Sequence, residues 1–231
     1  MIKYKLQSSG MIFKFLLPSG TSNVIVDGNI FLREAEQMAA GTDHILLTLP
    51  ESFESERLLI RAPLWGDGKA VNEAVCDSIE ELRPWMPWAQ SVPSVDESEA
   101  NIRHARLEFL SRRDLRLLIF LKESGEFVGS SGLHRIDWQV RKFEIGYWAR
   151  TPFAGKGYVT EAVEAITNYA ITELRANRIF IRCDSRNTRS RNVAERSGYT
   201  FEGKFRNDAC DVNGELRDTL VFSKVRGVEF E

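Results

Sequence analysis

The chain has 231 residues, of which 43% are hydrophobic and 28% are charged, and its formal net charge is −2. This balance is typical of a globular protein and argues against a nucleic-acid-binding protein, which usually carries a strong basic excess. Since no apolar run reaches the ~18–20 residues that a spanning helix needs, we expect no membrane segment.

The three cysteines, Cys76, Cys183 and Cys210, lie far apart, and no CxxC motif or Cys/His cluster accompanies them. This pattern predicts neither a disulfide framework nor a metal site, and a reducing cytoplasm fits it best. The apolar patch near the start is interrupted by Lys14 and no small-residue cleavage site follows it. We therefore expect no signal peptide.

Residues 1–52 differ in pattern from the rest of the chain. MIFKFLL (11–17) and SNVIVDG (22–28) are typical of short strands, and FLREAEQMAAG (31–41) of a short helix closed by Gly41. We interpret residues 1–52 as an N-terminal extension of unknown role that precedes the main domain, residues 53–231.

The first half of the main domain alternates strands and helices. ERLLIRAP (56–63) predicts a strand ended by Pro63, and residues 65–85 predict a loop followed by a helix. The apolar positions of that helix are Val71, Ala74, Val75, Ile79 and Leu82. Residues 94–114 predict a second helix, whose start carries a capping box formed by Ser94 and Glu97.

Two strands across a Ser124–Gly125 turn are predicted within residues 115–137, and VRKFEIGYWAR (140–150) predicts another. A helix over 160–174, a strand over 177–184 and a short helix ended by Gly198 follow, and two strands over 199–208 and 216–226 close the chain. This order predicts an α/β or α+β domain with a mixed sheet.

PFAGKGYVTEAV (152–163) places two glycines directly before an amphipathic helix, an arrangement that brings backbone N–H groups against phosphates. A P-loop is excluded, because Arg150 stands where its first glycine belongs and Gly157 where its hydroxyl residue belongs. The dinucleotide fingerprint is only approximate, since Thr160 replaces its third glycine and the loop lies two-thirds along the chain.

EIGYWARTPFAGKGYVTEAV (144–163), followed by NTRSRNVAERSGYTFEGKFR (187–206), resembles the GNAT superfamily of acetyl-CoA-dependent N-acetyltransferases. ESERLLIRAP (54–63) and the tryptophans at 85 and 88 resemble the branch of ribosomal-protein (alanine or serine) N-terminal acetyltransferases. The resemblance covers residues 53–227, which makes 53–231 a GNAT domain. It implies an α/β (α+β) fold with a mixed, splayed central sheet flanked by helices.

The resemblance also implies how acetyl-CoA is held, in a V-shaped opening between two central parallel strands. The strand residues Tyr147, Trp148 and Ala149 would pair with the pantetheine arm like an added strand. The loop residues Phe153, Ala154, Gly155, Lys156, Gly157 and Tyr158 would cradle the pyrophosphate. The family motif begins with Gln or Arg, which Pro152 replaces here.

The later segment matches the family's Asn-x-x-Ser element. Asn187 would hydrogen-bond the pantetheine region and Ser190 would lie near the sulfur, while Asn192 and Arg196 would help to hold the cofactor. A purely structural alternative is that Asn187 only caps the short helix. A backbone N–H near Trp148 or Ala149 is expected to polarise the thioester carbonyl.

The proton acceptor is less specified by the sequence. Glu144 is the first candidate, because it shares a face with Gly146 and Trp148, and a solvated strand carboxylate is its alternative. Asp208 or Asp211 comes second, because the resemblance implies a carboxylate shortly after the Glu202–Gly203 element; the carboxylate position known in part of the branch falls on Ala209 here, so it does not carry over directly.

Trp85 and Trp88 are the candidate acceptor-binding residues, because an amine cation can rest on such rings; core or lid packing is their alternative. The three histidines, His44, His104 and His134, receive no role from their spacing. The expected partner is an acceptor amine, on a protein N-terminus or a small molecule, and a homodimer is possible by analogy. A non-catalytic acetyl-CoA sensor is the alternative function.

Overall fold

The computed structural model describes residues 4–7, 10–17, 20–26 and 43–231. The chain separates into two compact units, Met1–Leu47 and Thr48–Glu231. The boundary placed at residue 52 from the sequence stays a prediction, as does the role of the segment before it.

The first unit contains an antiparallel three-stranded sheet formed by β1 (Tyr4–Gln7), β2 (Gly10–Leu17) and β3 (Gly20–Val26). Strands β2 and β3 confirm the two strands predicted for this segment, and β1 is a strand that was not predicted. The helix predicted over residues 31–41 lies outside the described residues.

The second unit contains an eight-stranded sheet with helices packed against it. Its strands are β4 (Ser52–Glu54), β5 (Leu58–Arg61), β6 (Leu115–Leu121), β7 (Phe127–Asp137), β8 (Lys142–Ala149), β9 (Arg178–Asp184), β10 (Thr200–Cys210) and β11 (Leu216–Val225). Its helices are α1 (Gly68–Cys76), α2 (Ile79–Leu82), α3 (Val95–Leu110), α4 (Tyr158–Thr172) and α5 (Thr188–Arg196).

The sheet has the order β10-β11-β9-β8-β7-β6-β5-β4. Every neighbouring pair is antiparallel except β8 and β9, which are parallel and joined through α4. The mixed sheet predicted from the sequence is therefore confirmed, and its one parallel contact joins the third and fourth strands of this order.

Helices cover both faces of this sheet. Trp148 of β8 packs against the apolar cluster that joins α1 and α3 to strands β6 and β7, including Ile102 and Phe127. Its neighbour Tyr147 points to the opposite face, because side chains alternate along a strand, and its hydroxyl contacts Ser190 of α5. The β8 strand is consequently held by packing on one face and by hydrogen bonds on the other.

The predicted helix ends are confirmed at α3 and α5. Ser94 Oγ accepts the Glu97 N–H at 3.1 Å, and the Glu97 carboxylate accepts the Ser94 N–H at 2.7 Å, which completes the capping box. Gly198 follows α5 with a φ of 72°, a left-handed conformation that favours glycine at this position.

The segment 65–85 forms two helices, α1 and α2, where one was predicted. The break falls at Asp77 and Ser78, whose side chains bind the turn that follows β8. Asp77 accepts the Arg150 guanidinium at 2.6 Å, and Ser78 Oγ accepts the Thr151 N–H at 2.8 Å. These long-range bonds compensate for the interruption of the helix.

Candidate active site

Strands β8 and β9 separate after a short contact. Only Lys142, Phe143 and Glu144 pair with β9, opposite Arg178, Ile179 and Phe180. The rest of β8, up to Ala149, has no partner strand on that side among the described residues. This opening is the V-shaped gap expected from the sequence.

The backbone of β8 presents hydrogen-bonding groups to the gap. The Arg150 N–H donates to the Val128 carbonyl at 2.7 Å. Because backbone groups alternate between the two sides of an antiparallel strand, those of Trp148 point to β7, whereas those of Tyr147 and Ala149 point to the gap. Of the two N–H groups considered for carbonyl polarisation, the Ala149 N–H is the one facing the opening.

The glycine loop lies at the open end of β8. Gly155 and Gly157 have φ values of 75° and 81°, so a side chain at either position would strain the backbone. Gly157 precedes the first residue of α4, and the first hydrogen bond of the helix joins the Glu161 N–H to the Gly157 carbonyl. The N–H groups of the first turn thus have no partner within the helix and can bind an anion.

A cluster that was not predicted holds this loop in place. The Glu161 carboxylate accepts hydrogen bonds from Ser55 Oγ at 2.7 Å, from the Arg57 N–H at 2.7 Å and from Arg57 Nε at 2.6 Å. Arg57 Nη1 also donates to the Lys156 carbonyl at 3.2 Å, and its guanidinium lies 4.4 Å from the centre of the Tyr158 ring. Arg57, which directly precedes strand β5, thereby contacts the C-terminal half of the loop and the first turn of α4.

The protonation of Glu161 follows from these contacts. Burial raises the pKa of the Glu161 carboxyl, but the hydrogen bonds from Ser55 and Arg57 and the charge of Arg57 outweigh burial and hold the pKa below its usual value. A negative charge in the first turn of α4 is also favourable to the helix.

The Asn-x-x-Ser element stands at the start of α5. Asn187 caps the helix, because its side-chain oxygen accepts the Ser190 N–H at 3.0 Å. The Tyr147 hydroxyl donates to the Ser190 carbonyl at 2.9 Å and lies 3.0 Å from Ser190 Oγ. Burial raises the pKa of the Tyr147 phenol, so this hydroxyl stays protonated. Burial likewise raises the pKa of the Cys183 thiol, against a hydrogen bond with Ser190.

A cavity of about 190 Å³ occupies the gap. It brings together Tyr147, Asn187, Ser190 and Trp85, all of which were predicted as site residues, and Asp211 also lines it. Other predicted residues lie outside its lining. Among these are the exposed Asn192 and Arg196 of α5, and Trp88, whose ring lies 5.9 Å from that of Trp148. Glu144, Trp148, Ala149 and the loop residues 153–158 are likewise not part of the lining.

The candidate carboxylates have very different surroundings. Glu144 is nearly buried between two guanidinium groups, with Arg182 Nε 3.3 Å from Oε1 and Arg135 Nε 3.2 Å from Oε2. Asp208 is exposed and lies within an irregular part of β10.

Asp211 is held by hydrogen-bond donors. It accepts Arg186 Nη2 at 3.0 Å and the N–H groups of Asn213 and Glu215 at 2.9 and 3.1 Å. The hydrogen bond from Arg186, followed by those from the backbone, lowers the pKa of Asp211.

His134, to which no role was assigned from the sequence, lies beside the gap. Its Nδ1 is 2.6 Å from Asp114 Oδ2, and its ring packs over Gly146, a residue that lines the cavity. From the sequence, the alternation of side chains along β7 indicates only that Gly132 and His134 share a face. Asp114 directly precedes the neighbouring strand β6, so its contact with His134 depends on how β6 and β7 pair.

Other classes of site find little support in the described residues. No group of His, Cys, Asp or Glu among them has the arrangement of a metal site, and no helix among them is long and apolar enough to cross a membrane. Cys76, Cys183 and Cys210 are free thiols.

Comparison with known proteins gives the family. A model described as an acetyltransferase (GNAT) domain matches residues 57–200. YdaF of Bacillus subtilis, whose assignment as a ribosomal N-acetyltransferase is provisional, is 31% identical over 80% of this chain and 92% of its own length. The ribosomal-protein-serine acetyltransferase of Escherichia coli is 26% identical over 68% of this chain and 89% of its own length.

The fold agrees with a solved acetyltransferase. The crystal structure of the microcin C7 self-immunity acetyltransferase MccE, in complex with acetyl-CoA and AMP, superimposes with a TM-score of 0.71. The two chains are 25% identical, and the match covers 78% of this chain and 98% of MccE. The splayed sheet, the glycine loop and these matches confirm the resemblance found in the sequence, and the chain belongs to the GNAT family of N-acetyltransferases.

Proposed function

We propose that this N-acetyltransferase takes the acetyl group from acetyl-CoA and transfers it to a primary amine by direct attack in a ternary complex. The observation that carries the proposal is the coincidence of two binding elements at one end of the sheet. One is the unpaired edge of β8, and the other is the Gly155–Gly157 loop at the start of α4.

The residues present fit a coenzyme of this kind. The Tyr147 and Ala149 backbone groups can pair with the amide-rich pantetheine arm as a further strand would. The exposed residues from Ala154 to Gly157 leave the N–H groups of the loop and of the first helical turn accessible to a pyrophosphate. Lys156, which is exposed between the two glycines, adds a positive charge at this point.

Acetyl-CoA, when bound, supplies the activated thioester. The Ala149 N–H is placed to donate a hydrogen bond to a carbonyl oxygen in the gap. Ser190 Oγ, which lies 3.0 Å from the Tyr147 hydroxyl, can exchange its hydrogen bond to that hydroxyl for one to a leaving sulfur. The leaving thiolate needs little stabilisation from Ser190, because a thiol has an ordinary pKa of about 8.5. Asn187 caps helix α5 and thereby holds Ser190 in position.

The acceptor is proposed to be a protein N-terminus of the ribosomal-protein type, because two relatives carry that activity in their names. An α-amine has an ordinary pKa of about 7.7–8.0 and is thus partly neutral at neutral pH. Trp85, which lines the cavity, and Trp88 next to it offer aromatic surfaces for the acceptor. A small amine is the second candidate, favoured by the likeness to an immunity acetyltransferase.

Two further expectations accompany the proposal. A cytoplasmic location agrees with three free thiols. A homodimer is a prediction that analytical ultracentrifugation of the full chain would check.

The test is the release of CoA thiol from acetyl-CoA against a panel of amines: peptides that begin with Ala, Ser or Met, polyamines and aminoglycosides. Turnover of one peptide class supports the N-terminal acetyltransferase, and turnover of a small amine alone supports the second candidate. Acetyl-CoA binding without any turnover would favour a non-catalytic sensor.

Ser190→Ala separates binding from catalysis. The Tyr147 hydroxyl keeps its bond to the backbone carbonyl of residue 190 in this variant, so we expect the fold and the affinity for acetyl-CoA to be kept. Turnover should fall, because the donor near the sulfur is removed. An unchanged turnover number would contradict the role proposed for the Ser190 hydroxyl.

A further inference from the structure

A histidine and an aspartate form a bonded pair on the sheet face next to the gap. His134 belongs to β7, and Asp114 directly precedes β6. The distance between His134 Nδ1 and Asp114 Oδ2 is 2.6 Å, and the two side chains are 29% and 34% exposed. The pair is therefore shielded enough to be well positioned and open enough to exchange protons.

The ring of His134 lies across two glycines. Gly132 and Gly146 face each other in the β7–β8 register. A β-carbon at Gly146 would lie 3.1 Å from His134 Cδ2 and 3.4 Å from Nε2, and one at Gly132 would lie 3.2 Å from Cε1. Gly146 lines the cavity and His134 does not, so this glycine stands between the imidazole and the cavity, with Cδ2 and Nε2 as the ring atoms nearest to it.

The aspartate selects the tautomer. A carboxylate only accepts hydrogen bonds, so the neutral imidazole carries its proton on Nδ1 and presents a lone pair at Nε2. No group among the described residues forms a hydrogen bond with Nε2. This nitrogen consequently keeps a lone pair that can accept a proton.

We propose that His134 is the general base of the acetyl transfer and that Asp114 is the residue that positions it. The inference rests on the proposed function. The amine nitrogen forms a bond to the acetyl carbonyl carbon while the carbon–sulfur bond breaks. Nε2 of His134 takes the amine proton, and the sulfur leaves as a thiolate that is hydrogen-bonded by Ser190 and later protonated by water.

The carboxylates near the gap are engaged with cations, which distinguishes them from Nε2. Glu144 stands opposite His134 in the strand register, with Arg135 and Arg182 at its two oxygens. Protonating Glu144 would weaken two ion pairs, whereas protonating Nε2 breaks no bond.

The other charged group facing the pair is Arg116 of β6, which interacts with Asp114. Its guanidinium donates a hydrogen bond to the Asn101 side chain of α3 at 2.6 Å. The α3 residue that reaches the Asp114–His134 pair through Arg116 is therefore neutral. Asp114 and Glu144 thus place negative charge near the imidazole, and Arg116, Arg135 and Arg182 place positive charge around those carboxylates.

The experiment compares His134→Gln, Asp114→Asn and Glu144→Gln with His104→Gln, an exposed histidine on α3. The probe is a peptide that begins with serine, or the panel amine with the highest kcat/KM. We expect His134→Gln to lower kcat by about 10²–10⁴-fold while the Kd for acetyl-CoA stays that of the wild type. His104→Gln should leave both unchanged.

Two readouts distinguish a base from a structural residue. The acid limb of the pH profile of kcat should contain two ionisations in the wild type, and His134→Gln should keep only the one that belongs to the acceptor amine. The ¹⁵N imidazole spectrum, assigned by difference among three histidines, should show the Nδ1–H tautomer at His134 and a change in Asp114→Asn.

An unchanged kcat in His134→Gln, an Nε2–H tautomer in the wild type, or a larger loss in Glu144→Gln would overturn the inference. If His134→Gln no longer binds acetyl-CoA, that substitution shows a structural role, and Asp114→Asn becomes the test of the base. The inference then requires that Asp114→Asn bind acetyl-CoA and keep the imidazole ionisation in the pH profile of kcat, and loss of either would overturn it. A wild type that binds acetyl-CoA but turns over no amine refutes the proposed function instead.

Discussion

Replacing Glu161 with glutamine tests whether the loop proposed to bind the coenzyme is held by the segment that precedes strand β5. The substitution keeps the size of the side chain and removes the charge that accepts three hydrogen bonds from Ser55 and Arg57. An amide has only one oxygen, and its NH2 group faces the Arg57 donors. We therefore expect the contact between Arg57 and the loop carbonyl of Lys156 to loosen as well.

The expected loss of stability in Glu161→Gln depends on how exposed the Arg57–Glu161 ion pair is. A hydrogen bond to a charged group contributes about 1.5–3 kcal/mol, but the Arg57 side chain is 44% exposed and solvent screens the ion pair. We expect a loss of about 1–2 kcal/mol in unfolding free energy, which lowers the Tm of a domain of this size by about 2–8 °C. If the same free energy holds the loop, the affinity for acetyl-CoA falls by at most about 5–30-fold.

The assay is isothermal titration of acetyl-CoA, together with a thermal melt. Glu164→Gln is the matched control, because Glu164 lies on the same helix and is exposed. The reasoning is refuted if Glu161→Gln binds acetyl-CoA as tightly as Glu164→Gln does. That result would mean that Arg57 and Glu161 stabilise the fold without positioning the loop.

The pH dependence has a definite sign. The folded-state pKa of Glu161 lies below its usual value, so its contribution is present above the unfolded-state pKa of about 4.3 and is lost as the pH falls below it. The difference in Tm between the wild type and Glu161→Gln should thus be constant near neutral pH and shrink in acid.

Two other substitutions should change stability. Gly68→Ala places a β-carbon 2.3 Å from the Glu99 backbone, and this overpacking between α1 and α3 should cost about 1–3 kcal/mol in a urea titration; Gly203→Ala, which meets no atom within 4 Å, is the control. The hydrogen bond from Arg178 lowers the pKa of Glu202 to about 2, so Glu202→Gln should cost up to ~1 kcal/mol near neutral pH. That loss should disappear as the pH falls from about 4.3 towards the folded pKa, and a pH-independent loss would contradict this account.

Local signals in the sequence predicted most of the elements. The capping box at Ser94, the turn at Gly125 and the glycine after α5 are short-range patterns whose physical reason lies within a few residues. The glycine loop before α4 was likewise visible, because the positive φ angles of Gly155 and Gly157 need residues without a β-carbon.

The contacts that position the site were not predictable in the same way. Glu161 receives its partners Ser55 and Arg57 from the segment between β4 and β5, 106 and 104 residues earlier in the chain. The break between α1 and α2 is explained only by Arg150 and Thr151, which reach Asp77 and Ser78 across 73 residues. Such pairings depend on strand order, and a single sequence does not specify strand order.

The short contact between β8 and β9 also governs how the molecule is held together as a cooperative unit. Three residue pairs join the strand block β4–β8 to the block β9–β11 across the sheet, and the amide protons of β8 that face the gap lack the ladder that protects them in an ordinary sheet. A molecule lying along this edge would close the ladder and join the two blocks. It would slow the hydrogen exchange of Tyr147 and Ala149, and at 100 times its Kd it would add about 2.7 kcal/mol to the unfolding free energy. If acetyl-CoA binds along this edge as proposed, the stability of the folded chain depends on the concentration of its own substrate.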